Sequence, residues 1–99
     1  MSTTWSKADV ETVKDLLKEQ AEHYDDDERN MCVRDISKII LRYSSFDPSL
    51  EADLCSFIVK RCMDDCPDVA VLAVKLVGDA ITFLPESLIM DLVTTLAPP

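Results

Sequence analysis

The chain has 99 residues, 47% of them apolar, with 19 acidic against 10 basic side chains and a formal charge of −9. That is length and apolar content enough for one core without staples, while the anionic surface repels phosphate backbones and lipid headgroups, excluding nucleic acid and membrane as expected partners. A single glycine, Gly78, leaves little for β-hairpin turns or phosphate-cradling loops, so an all-α fold is expected.

In chain order, Met1 to Glu11 is polar and lacks the apolar run of a secretory signal, and no stretch approaches the roughly 20 apolar residues of a bilayer span. The expectation is a cytoplasmic or nuclear protein whose Cys32, Cys55, Cys62 and Cys66 stay reduced. The first helix opens at Ser6, a capping hydroxyl, with Asp9 placed to close a capping box, and carries an apolar stripe from Val10 to Tyr24. Asp25 to Glu28 interrupts it and supplies an anionic first turn for a second helix, whose apolar face holds Cys32, Val33, Ile36, Ile39, Ile40 and Tyr43. Asp47-Pro48 starts a third helix, burying Leu50, Leu54, Cys55, Phe57, Ile58 and Cys62. After Asp64 to Asp68 comes a fourth, 69–82, apolar nearly all round and therefore expected between neighbours on both sides. Leu84-Pro85 starts a fifth, with Leu88, Ile89, Leu92, Val93 and Leu96.

A forward shift of 41 residues carries Val13 onto Leu54, Leu17 onto Ile58, Cys32 onto Ala73, Ile36 onto Val77 and Ile40 onto Ile81. One offset holding for both helices, across the acidic break, predicts stacked antiparallel hairpins of the HEAT/armadillo type, whose repeats run roughly 40–47 residues. The reading is about two and a half repeats in one domain: 6–45, 47–83 and a half repeat 84–97. A plain five-helix bundle with a coincidental offset is the other arrangement.

The stretch Asp64-Asp65-Cys66-Pro67-Asp68-Val69, followed by Leu72-Ala73-Val74-Lys75-Leu76-Val77-Gly78, resembles the heart of a HEAT repeat: an acidic, proline-bearing turn before a helix with small residues and a mid-helix glycine. HEAT repeats often carry an arginine just after the valine of that turn. Arg29 fits the position in the first hairpin and Ala70 occupies it in the second, a departure from a continuous Asp–Arg ladder. The order of segments is also similar to the amino-terminal repeats of the cullin-associated, neddylation-dissociated exchange factors, in the Leu72 to Gly78 helix and the apolar Leu84 to Leu96 that follows. That resemblance implies a partner among the components of cullin–RING ubiquitin ligases.

For chemistry, no nucleophile elbow, paired-histidine motif or phosphate loop is present, so neither catalysis nor a cofactor is expected. Cys62 and Cys66 form one zinc-like pair without a second, and a metal-binding or redox-sensing regulator built on them is the alternative reading. The expected function is a non-catalytic scaffold or adaptor that contacts another protein. Arg34, Lys38 and Arg42, four residues apart, make a basic ridge that Lys75 continues on the equivalent helix. Leu88, Leu92 and Leu96 make the terminal helix a second contact surface, for another protein or for a second copy in a homodimer.

Overall fold

The computed structural model describes residues 4–96, with the backbone alone at Leu96. Leu96 as a contact side chain, and Ala97 at the end of the half repeat, therefore lie outside the described residues. Five helices follow one another: α1 (Lys7–Glu19), α2 (Asp26–Tyr43), α3 (Glu51–Cys62), α4 (Pro67–Asp79) and α5 (Glu86–Leu96). Among the described residues there is no strand, and no helix is long and apolar enough to cross a membrane. The chain is all-α.

Local chemistry explains most helix boundaries. Ser6 Oγ accepts the Asp9 N–H at 3.1 Å and Asp25 Oδ1 accepts the Asp27 N–H at 2.9 Å, each satisfying an orphan donor. The capping box at α1 does not close. Tyr43 Oη accepts the Ser6 N–H at 3.1 Å and donates to Asp9, whose carboxylate also takes Arg42 Nη1 at 3.0 Å. Side chains from α2 thus take over the second half of the cap. α1 stops at Glu19, before the stripe reaches Tyr24, which is almost wholly exposed. Asp47 caps a single turn, accepting the Ser49 N–H at 3.0 Å, so α3 begins at Glu51, a little later than Asp47-Pro48 suggests. α2 ends at Ser44 in the left-handed region (φ 50°), a conformation glycine carries more cheaply.

The core joins Val13 of α1, Ile36 and Ile40 of α2, Leu54 and Ile58 of α3, Val69 of α4 and Leu88 of α5. Trp5, ahead of the first helix, is buried as well, its ring 5.0 Å from that of Tyr43 and its Nε1–H on the Ser45 carbonyl at 3.2 Å. α1 lies on α2, α2 on α4, α4 on α3, and α3 on α5. The radius of gyration, 12.8 Å, is that of a compact chain of about 100 residues.

The fourth helix departs from expectation. Val69, Ala73, Leu76 and Ala80 are buried against α2 and α3, but Val71, Val74 and Ile81 are 66%, 52% and 52% exposed. α4 is covered on one side only, and its apolar opposite side faces outward.

Candidate functional site

The basic ridge on α2 is solvent-exposed at Arg34, Lys38 and Arg42. Arg34 Nε is held by Asn30 Oδ1 at 2.8 Å, and Arg42 by Asp9 at 3.0 Å. The Tyr43 hydroxyl, with Ser6 and Arg42, keeps the Asp9 carboxyl below the usual range. Lys38 meets no carboxylate within 4.0 Å among the described residues. Lys75 is exposed and reaches Asp79 at 4.0 Å. The ridge is a partly paired surface.

On α5, Leu88 and Leu92 point into the core, where α5 rests on α3. The outward apolar side chains of that helix are Met90 and Val93. A helix with apolar residues on more than one side offers no signal in spacing for which side is inward. The same ambiguity hid the exposed side of α4.

That side consists of Val71, Val74 and Gly78, spaced three and four residues apart and so on one line of the helix, with exposed Ile81 in the turn just past its end. Nothing lies within 4 Å of where a Cβ on Gly78 would stand. Neither a close approach within the chain nor a positive φ requires this glycine.

Setting α2 beside α4 through the 41-residue offset locates the difference. Val33 and Ile40 are buried where Val74 and Ile81 are exposed, and buried Ile36 matches half-buried Val77. Conversely, exposed Asp35 and half-buried Glu28 match buried Leu76 and Val69. Burial rotates from one flank of α2 to the other flank of α4. The uncovered flank of α2 is polar apart from Met31. The uncovered flank of α4 is apolar.

A buried ionic cluster ties the α1–α2 turn and the start of α2 to the end of α3 and the α3–α4 turn. Arg29 grips Asp64 with two parallel bonds, Nε–Oδ2 at 2.8 Å and Nη2–Oδ1 at 2.9 Å, and donates from Nη1 to the His23 carbonyl at 2.8 Å. Arg61 reaches Asp64 at 3.4 Å and donates to the Ala21 carbonyl, while its buried Nε has no partner among the described residues. The Asp64 side chain is 2% exposed, and its bonds to Arg29 hold the carboxyl below the ordinary value. The turns repeat too: the Asp25 N–H donates to His23 Nδ1 at 3.0 Å as the Cys66 N–H donates to Asp64 Oδ1 at 2.9 Å. His23 and Asp64 are 41 residues apart, as are the cap residues Asp25 and Cys66.

All four cysteines are free. Burial pushes the Cys32 thiol up to about 12 and raises Cys62 and Cys55 as well, the opposite of what a thiolate ligand needs. Among the described residues, the side chains close enough to share a cation are the exposed Asp25, Asp26 and Asp27, not Cys62 and Cys66. A groove of about 320 Å³ between α1 and α3 has Leu17 and Phe57 inside and Lys14, Lys18, Lys60 and Arg61 around them. Lys60 is partly neutralised by Glu22 at 3.7 Å. His23 Nδ1 accepts the Asp25 N–H, and among the described residues no hydroxyl or thiol hydrogen-bonds to its ring. No family model matches the chain, and no curated protein or solved structure shows significant similarity to it.

Proposed function

We propose that this protein is a non-catalytic protein–protein interaction module made of stacked, HEAT-like helical hairpins, and that the outer side of α4 is its contact surface. The observation that carries this reading is the rotation of burial between α2 and α4. In a stack, an inner helix has neighbours on both flanks and an end helix presents a polar flank. α2 has such a polar end. α4 has the apolar flank of an inner helix with nothing against it.

Three observations support the stack itself. The contacts of α1 with α2, α2 with α4, α4 with α3 and α3 with α5 fit two layers, α1, α3 and α5 in one and α2 and α4 in the other. The thinnest extent of the molecule is 19 Å, whereas two helix layers need roughly 15 Å of Cα thickness and three need roughly 25 Å. Arg29 of the first hairpin and Asp64 of the second form one Asp–Arg rung between consecutive units. Ala70 ends that series, since it has no guanidinium to offer a further unit.

A photo-crosslinking residue at position 74, with control positions 34 and 38 on the ridge, tests the reading in cells that make the protein. The module reading expects a discrete protein adduct at 74 and none at the controls. Adducts at 34 and 38 alone would move the contact to the basic ridge. No adduct at any of the three would contradict an interaction module.

A further inference from the structure

We infer that the groove between α1 and α3 binds an acidic peptide segment of another protein, one with a large apolar side chain set between carboxylates. The site shares no residue with the outer side of α4 and stands independently of what covers that side.

Charge is distributed unevenly over this chain. It has ten basic residues against nineteen acidic ones, yet the groove is lined by four of the basic, Lys14, Lys18, Lys60 and Arg61, and by two of the acidic, Glu22 and Asp53. A cationic excess on a chain of charge −9 makes the groove a place where an anion is attracted while the surroundings repel it.

Three of these cations are open to a ligand. Lys18 is exposed and meets no carboxylate within 4.0 Å among the described residues. Lys14 and Lys60 meet Glu11 and Glu22 at 3.8 and 3.7 Å, with about half of each lysine side chain in solvent. Such exposed pairs hold weakly, so an incoming carboxylate can replace them. Arg61 differs, because the Ala21 carbonyl and Asp64 already hold its guanidinium and fix it in the lining.

Spacing selects a peptide over a single small anion. Lys14 and Lys18 are one turn of α1 apart, a rise of about 6 Å, and Lys60 stands on the other wall. Carboxylates lie roughly 6 Å apart at positions i and i+4 of a helix, and roughly 6.6–6.8 Å apart at i and i+2 of an extended chain. One acidic segment therefore addresses both α1 lysines, whereas a monocarboxylate meets only one. Between the lysines the floor is apolar, made of Leu17, Ala21 and Phe57. The space, about 320 Å³, is at the small end of ligand sites and suits one large side chain as an anchor. That floor offers nothing to a phosphate backbone, and the surrounding acidic surface repels a long polyanion. One anchor with a few exposed ion pairs makes the association weak and sensitive to salt.

The test is a titration of the isotope-labelled chain, read by its amide NMR shifts. The probe is a peptide of about eight residues, a central phenylalanine flanked by glutamates, added to about 2 mM. Saturable shifts are expected at Lys14, Leu17, Lys18, Phe57 and Lys60, and they should fade in about 0.5 M salt. A probe with alanine at the centre, or with lysines for the glutamates, should bind about fivefold more weakly or worse. Lys18→Glu should weaken binding by about fivefold or more, since it turns an attraction into a repulsion. Lys7→Glu, the same change at an exposed position of α1 outside the groove, should stay within about twofold of wild type. The amide spectrum of each variant reports at once whether its fold is kept. No saturable shift, shifts centred on Val74, or equal losses from Lys7→Glu and Lys18→Glu would overturn the site. 3-Phenylpropionate binding as tightly as the peptide would overturn the peptide as occupant in favour of a small aromatic anion. Tighter binding of a short thymidine strand than of the peptide would overturn it in favour of nucleic acid.

Discussion

Asp64 shows how one side chain can join two inter-helix turns. It accepts from Arg29 twice, lies near Arg61 and caps the turn into α4, with only 2% of the side chain exposed. Asp64→Asn leaves two largely buried guanidiniums without their counter-charge, so a loss of about 3 kcal/mol is expected. The pH dependence follows from the direction of the shift. The folded carboxyl titrates below its ordinary 3.8, so its stabilisation is present above that value and drains away as pH falls through the lower folded pKa. The stability gap between wild type and Asp64→Asn should therefore be constant above about pH 5 and narrow below about pH 4. Urea unfolding read by Trp5 fluorescence measures it, and a gap that persists unchanged into strong acid would show that Asp64 is not held ionised by Arg29. The sequence matched Arg29 to a ladder position but did not indicate that its partner is Asp64 of the α3–α4 turn. Pairing across 35 residues leaves no local pattern.

At the scale of the helix, composition and punctuation carried most of the information. The five helices and the Ser6 cap were legible, because caps act through nearest neighbours, whereas the fourth helix, read as 69–82, starts at Pro67 in the first helical position and ends at Asp79. Trp5 was not read as core, since one aromatic ahead of a helix has no periodicity to place it. Inward and outward sides were legible for α2, where polar residues mark the outside. They were not legible for α4 and α5, whose apolar residues occupy several sides. Gly78 belongs to this scale too. With open space around it and a helical backbone, Gly78→Ala should raise the stability of the monomer by about 0.5–1 kcal/mol. Urea midpoints at low protein concentration check this, and a loss of stability would mean that the site is crowded.

For the whole molecule, the deciding feature is the contrast between a polar uncovered flank on α2 and an apolar uncovered flank on α4. The 41-residue offset predicted which residues correspond but treated corresponding residues as alike. Burial depends on what lies beside a helix, and the sequence pattern of one helix does not record its neighbours. The candidate site was missed for that reason. The most direct test compares two chemically identical changes at corresponding positions, Val33→Asp and Val74→Asp, by urea unfolding of the dilute monomer. Val33 is 1% exposed and Val74 52%. The account predicts that Val33→Asp costs about 3 kcal/mol or more, a charge buried without a partner, while Val74→Asp stays within about 0.5 kcal/mol of wild type. Equal losses at the two positions would contradict it, because α4 would then be enclosed on both sides and would have no surface to offer.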